Sequence, residues 1–276
     1  TIGVSFEKPA TERRTATPGW YNNEAFSEFA KRNGIEEKTL ILDAFLNASK
    51  EEVIKEVEYL VKSDADMIEW RLDAFEHYTD YNEVREILQQ IAPLLKKKLF
   101  LYTFRTAKQG GVVSVDRETL NDLHDLAAES ECVDLIDLEF FEEEHAAKRI
   151  REIQKKGKKV VASHHDLEGT PQIDVMRMLL DHMCEGGADI VKLVVTPKTT
   201  EDVLRLLAVT SEFHSENQET PIITVSMGKL GAVSRVSGET FGSCVTFASH
   251  GKKSAPGQFQ LEEMQQTLAM LHEGCE

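Results

Sequence analysis

From about residue 38 onward the chain alternates between two kinds of apolar pattern. Short β-branched runs, "TLILDAF", "DMIEWRL", "LFLYTF", "VDLIDLEF", "KVVASH", "ADIVKLVV", "PIITVSM" and "SCVTFA", read as buried strands. Between them, stretches such as "SKEEVIKEVEYLVKS", "NEVREILQQIAPLLKK" and "TTEDVLRLLAVTSEFHSE" space their apolar residues as amphipathic helices do. The strand runs recur about every 25 to 35 residues, the size of a βα unit. Eight strands alternating with helices predict an α/β fold closed as a (β/α)8 TIM barrel over residues 38–276. An open doubly wound sheet would carry a glycine-rich phosphate turn after its first strand, and "DAFLNASKEE" has no glycine. Residues 1–37 lack this rhythm and read as an N-terminal appendage. Within it, "TIGVSF" could form a short strand and "NEAFSEFAKRNG" one short helix ended by Gly34.

One strand is discordant. In "ADIVKLVV", Lys192 interrupts a run of apolar residues. Burying an unpaired ammonium costs at least several kcal/mol, so the residue needs a reason. It either reaches the strand end or a carboxylate, or it is a desolvated amine that attacks carbonyls. A barrel places its chemistry where strands end, and those ends carry further polar groups. They are Glu69 and Arg71 on strand two, Arg105 beyond strand three, Asp137 and Glu139 on strand four, and His164, His165 and Asp166 on strand five. Lys229 and Arg235 follow strand seven, and Lys252, Lys253, Ser254 and Gln258 follow strand eight. Asp137, Glu139 and Lys229 read as structural ion-pair partners. The remaining cations make this rim basic and favour a small anionic ligand, because the guanidinium fork matches a carboxylate.

The bulk composition narrows the partners. With 276 residues and 41% hydrophobic content the chain can bury one large core. A net charge of −16, with no compensating basic block, argues against nucleic acid or an anionic membrane as partner. No apolar run approaches bilayer length and no signal pattern opens the sequence. Cys132, Cys184, Cys244 and Cys275 are far apart and form no C-x-x-C, which disfavours zinc and a disulfide framework. A soluble, cytoplasmic protein is expected. The exposed helical faces of a barrel suit a homodimer. His164, His165 and Asp166 do not make a metal set, since adjacent strand residues point to opposite faces.

The segments "DMIEWRLD", "YTFRTAKQGG", "VDLIDLEFF", "VVASHHD", "ADIVKLVV", "PIITVSMGKLGAVSRVSGETFGS" and "KKSAPGQF" occur in an order and spacing that resemble type I 3-dehydroquinate dehydratase. The resemblance runs from about residue 38 to 272. It implies dehydration of 3-dehydroquinate to 3-dehydroshikimate with no cofactor. Lys192 matches the lysine that forms an imine with the C3 ketone, and His165 the histidine that moves protons. Glu69, Arg71, Arg105, Arg235, Ser254 and Gln258 match substrate-binding positions, Arg235 being the one expected to hold the C1 carboxylate. On this assignment burial and the neighbouring arginines should also lower the Lys192 pKa.

Two positions depart from the family pattern. Gln109 stands where a glutamate usually contacts the histidine; an amide keeps a hydrogen bond but supplies no charge, so a slower enzyme is expected. At the end of strand one an ungapped count lands on Ala44, beside Asp43, where a serine is usual. A class I aldolase shares the barrel and the strand-six lysine but would more often show a glycine-rich phosphate site after strands seven and eight. A binding or sensing homologue is the other alternative, and Gln109 alone suggests it.

Overall fold

The computed structural model describes residues 39–95, 97–251 and 253–273. The N-terminal appendage with its expected strand and helix, Lys252 and Cys275 lie outside these residues. Eight parallel strands follow the expected runs: β1 (Leu40–Phe45), β2 (Met67–Arg71), β3 (Leu99–Thr103), β4 (Leu135–Glu139), β5 (Lys159–Asp166), β6 (Ile190–Val195), β7 (Ile222–Ser226) and β8 (Val245–Ser249). Between the first seven lie α1 (Lys50–Leu60), α2 (Tyr81–Ile91), α3 (Arg117–Glu129), α4 (Ala146–Lys155), α5 (Ile173–Glu185) and α6 (Thr200–Glu216). The strand order runs from β7 down to β1 and on to β8. The ring closes between β7 and β8, where Ile222 bridges Ser243 and the Cys244 backbone N–H donates to the Ile222 carbonyl at 2.8 Å. The fold is the α/β barrel expected.

Helix starts are set locally. Ser49 and Thr199 each cap a helix by accepting from the third amide, while Glu52 and Asp202 reach back to the cap, two reciprocal capping boxes. Asp80 and Asp116 cap α2 and α3. The apolar pattern of "NEVREILQQIAPLLKK" suggested a longer helix than α2, but Pro93 brings no N–H to continue the ladder and the helix stops at Ile91. The β7–β8 connection also differs from a single crossover helix. It holds two four-residue helices, α7 (Val233–Val236) and α8 (Gly238–Phe241), and a two-residue strand β9 (Phe259–Gln260) leads into α9 (Leu261–Glu273).

Alternation along the strands splits the apolar core in two. Ile68, Trp70, Phe100, Tyr102, Ile136, Leu138, Val191 and Leu193 face outward and pack with the helices. Leu40, Met67, Leu99, Leu135, Val161 and Ile190 face inward and fill the barrel floor. Two glycines fix the rim. A Cβ on Gly111 would sit 1.8 Å from the Arg105 carbonyl oxygen, so the loop after β3 can fold back only with glycine there. Gly257, at φ +82°, would place a Cβ 2.4 Å from the Gly228 carbonyl oxygen; it locks the loops after β7 and β8 together. Among the described residues no helix is long and apolar enough to cross a membrane, and Cys132, Cys184 and Cys244 are free thiols.

Parity also resolves the end of β1. Ala44 faces inward beside Glu69, whereas Asp43 points outward, away from the axis. Asp43 is buried with Oδ2 unpartnered, and burial, then Glu56, push its carboxyl up to about 7. The unfolded chain ionises this group near its ordinary 3.8, before the folded protein does. Its contribution to stability is therefore complete at low pH and is lost as pH rises to about 7. Asp43→Asn should stabilise the protein by an amount on the order of 1–3 kcal/mol at alkaline pH and by nothing in strong acid, read from denaturant unfolding at each pH. An equal gain at both ends of the range would remove this account of Asp43.

Candidate active site

The inward parity of the strands changes character along the barrel axis. Above the apolar floor the same faces carry Glu69 and Arg71 on β2, Asp137 and Glu139 on β4, Ser163 and His165 on β5, and Lys192 on β6. Lys192 is flanked on its own face by Ile190 and Val194, and its Nζ lies 4.7 Å from the centre of the Phe247 ring. All eight site residues expected from the sequence line one cavity of about 250 Å³, together with Gln109 and the apolar Val194, Val225, Met227 and Phe247. Lys229 and Lys253, also at strand ends, are exposed and absent from that lining.

The cations of the rim are balanced individually. Arg71 forms a two-pronged ion pair with Asp73 at 2.7 and 2.8 Å. Asp73 also accepts from the backbone N–H groups of Arg105 at 3.3 Å and Val112 at 3.0 Å, tying the loop after β3 to β2. The Arg105 guanidinium lies between Asp137 at 2.7 Å and Glu139 at 3.0 Å. Glu139 is held in turn by the Thr106 backbone N–H at 2.9 Å and hydroxyl at 2.7 Å. Burial alone would lower the Arg105 pKa, but Asp137, Glu139 and Glu69 outweigh it and raise it. Lys192 lines the cavity, and it has the carboxylate partner that the first of its two readings expects, with Asp137 Oδ2 3.3 Å from Nζ.

Arg235 is different. It is 2% exposed, and no carboxylate lies within ion-pair distance of it among the described residues. Its guanidinium donates to the Pro256 carbonyl at 3.1 Å, and its Nε is buried without a partner. Burial lowers its pKa to about 10, which leaves it charged at neutral pH. An uncompensated buried guanidinium is a seat for an anion. The loop above it is stiffened by Gln258, whose Oε1 accepts from the backbone N–H groups of Ser254 at 2.7 Å and Ala255 at 3.0 Å. Glu69 accepts from the Thr103 hydroxyl at 2.7 Å.

Gln109 determines how His165 is presented. The His165 backbone N–H donates to Gln109 Oε1 at 2.9 Å, and His165 Nδ1 lies 3.2 Å from the same oxygen. A backbone N–H can only donate, so the atom facing it is the amide oxygen. Nδ1 must then carry the ring proton, leaving Nε2 as the basic nitrogen. Burial first, then Arg105, Lys192 and Arg71, push the imidazole well below its ordinary range. The Gln109 Nε2 is buried and unpartnered, a cost of about 1–3 kcal/mol. His164 faces the other way, edge-on to Phe141 with ring centres 5.3 Å apart.

Asp73, Ser163 and Asp137 in this network were not singled out from the sequence as site residues. Asp73 binds Arg71 two positions away, and Ser163 reaches Arg105 only through the register of the barrel strands. Asp137 was read as an ion-pair partner and is one, but its contact with Lys192 reaches across β5 and leaves no local pattern.

Comparison with known proteins agrees with this geometry. Residues 46–275 match the family model for Type I 3-dehydroquinase. A 3-dehydroquinate dehydratase of Clostridium novyi is 41% identical over 225 residues, 81% of this chain and 89% of that protein. One from Listeria monocytogenes is 41% identical over 219 residues, 79% of this chain and 86% of the relative. Among solved structures, the 3-dehydroquinate dehydratase of Geobacillus kaustophilus superposes with a TM-score of 0.82 at 31% identity, covering 86% of this chain and 92% of that one. The type I enzyme of Clostridium difficile, with covalently modified comenic acid, also gives 0.82, at 35% identity over 87% of this chain and 94% of its own. The chain belongs to the type I 3-dehydroquinase family and is accordingly a hydro-lyase.

Proposed function

We propose that the chain dehydrates 3-dehydroquinate to 3-dehydroshikimate through an imine on Lys192, with His165 moving the protons. The observation that supports this most is the convergence of a buried lysine, a histidine with one free ring nitrogen and an anion-free arginine on a single cavity. Arg235 takes the C1 carboxylate, since it alone among the site cations has no carboxylate of its own. Glu69, Arg71, Ser254 and Gln258 surround the ring hydroxyls.

The chemistry follows from the functional groups. A carbanion at C2 beside a ketone is poorly stabilised. Once the C3 carbonyl is an iminium, the C2–H electron pair can form the C2=C3 bond of an enamine while the C=N π pair moves onto nitrogen. His165 Nε2 removes the C2 proton. As the enamine collapses, the C1–O bond breaks and the imidazolium returns its proton to the departing hydroxyl, which leaves as water. Hydrolysis of the conjugated imine frees the product and the lysine. The electron sink is made from the substrate and a side chain, so these steps call on no metal or organic cofactor.

Gln109 bears on the first step. Its uncharged oxygen sets the tautomer of His165 but gives the forming imidazolium no anionic support, so removal of the C2 proton is the step it weakens. A homologue that binds without turnover is the alternative this residue favours. Growth of enone absorbance on mixing with 3-dehydroquinate separates the two, since binding alone produces none.

Borohydride added during turnover should leave a reduced adduct on Lys192 by peptide mass spectrometry. An active preparation with that lysine unmodified would exclude the imine. His165→Ala should lower kcat by about 10²- to 10⁴-fold while changing ligand affinity far less. Unchanged turnover would reassign the base. Gln109→Glu should raise kcat and move the acid limb of kcat/KM to higher pH by about one unit or more, because an adjacent carboxylate raises the imidazole pKa. Neither change occurring would make a carboxylate at this position dispensable.

A further inference from the structure

The cluster beneath the cavity holds one group that this mechanism leaves idle. Asp137 is fully buried, and its Oδ2 is shared between Arg105 at 2.7 Å and Lys192 Nζ at 3.3 Å. Its Oδ1 accepts from the Ser163 hydroxyl at 2.6 Å. Glu139 binds the same guanidinium at 3.0 Å and has no ion pair with Lys192.

We propose that Asp137 is the counter-ion of the Lys192 nitrogen throughout the reaction, paired first with the ammonium and then with the iminium. The proposal rests on Lys192 being the imine-forming residue. An ammonium and a ketone give an iminium and water with no net gain or loss of protons. The nitrogen–carbon bond forms, the ketone oxygen leaves as water with two of the ammonium hydrogens, and the nitrogen keeps one hydrogen and its positive charge. The charge facing Oδ2 is thus the same before and after condensation, and the carboxylate has no reason to move.

The unequal distances suit the next step. When the C2–H pair forms the C2=C3 bond and the C=N π pair moves onto nitrogen, the proton passes to His165 and the nitrogen becomes a neutral enamine nitrogen. A carboxylate paired only with lysine would then be a buried, unpartnered anion, a costly state. Asp137 keeps its shorter contact to Arg105 and its Ser163 hydrogen bond, so it is never without partners. Burial opposes its ionised form, but Arg105 and then Lys192 outweigh this and hold the carboxyl at about 2. It remains an anion at working pH and is no proton acceptor. The other ionisable groups facing this cluster are Arg71, Arg105, Glu139, Glu69 and His165 on the cavity side, and His124 behind β4, which burial holds in its neutral form. Arg105 stays protonated against Glu139 and Glu69, and His165 is pushed toward its neutral form by burial and these cations. None of them supplies a second anion at Nζ.

The test uses the full chain and a substrate analogue lacking the C1 hydroxyl, which can condense but not eliminate. A protonated C=N bond shifts its Raman band in D2O, and a neutral imine does not. In the unaltered protein the D2O-sensitive band should persist into the alkaline range where an unpaired imine is neutral. In Asp137→Asn the loss of sensitivity should move to lower pH by about one to three units, the usual effect of an opposite charge at this range, and the alkaline limb of kcat should move with it. Glu139→Gln removes an equal charge from the far side of Arg105 and should leave the band's pH dependence in place. No displacement in Asp137→Asn, or equal displacement in both variants, overturns the assignment. If Asp137→Asn does not fold, the unaltered protein decides: a C=N band insensitive to D2O at neutral pH overturns it. Absence of any borohydride-stable adduct on Lys192 would instead overturn the underlying imine reading, and is read separately.

Discussion

A single carboxylate oxygen, Asp137 Oδ2, separates a guanidinium from an ammonium inside the barrel. Without it Lys192 would carry an uncompensated desolvation cost of several kcal/mol, while Arg105 would keep only Glu139. The shared anion lets β3, β4 and β6 bring charged side chains to one point above an apolar floor. Strand alternation supplies the geometry: Asp137, Ser163 and Lys192 all point inward, while Ile136, Ala162, Val191 and Leu193 on the same strands bind the helices. A one-residue slip in β6 would send the lysine outward into the helical layer and a valine or leucine into the cavity.

The arrangement also reconciles an acidic chain with the anion-binding role proposed for its pocket. A net charge of −16 repels a carboxylate at long range. Inside the cavity the balance is local. Arg71 is matched by Asp73 and Arg105 by Asp137 and Glu139, which makes them positioning groups as much as anion donors. Among the described residues Arg235 has no carboxylate partner, and it sits under a loop that Gln258 and Gly257 hold in place. Among those residues the pocket thus offers one free cationic seat and several oriented polar groups, a pattern suited to a small hydroxylated acid.

The eight strands were legible because apolar runs of strand length recur with little ambiguity, and the site residues because they stand at strand ends within recognisable motifs. Lys192 was conspicuous as a charge in an apolar run. The partner of that lysine was not, since Asp137 lies 55 positions away and the contact depends on barrel closure rather than on any local spacing. The same holds for Asp43 and Ala44: adjacent in sequence, they were separable only once parity was known. The β7–β8 connection escaped because four-residue helices are too short for the helical period to repeat. Gln109 was visible as a departure, but the orientation of its amide, fixed by one backbone N–H, was a matter of geometry.

The central claim is that the C3 carbonyl of the substrate is broken and remade on Lys192. Turnover in water enriched in oxygen-18 tests it directly, since imine hydrolysis must draw the product's C3 oxygen from solvent. The account predicts 3-dehydroshikimate labelled at C3 in every turnover, beyond spontaneous ketone exchange. Product that retains the substrate's original C3 oxygen would contradict it.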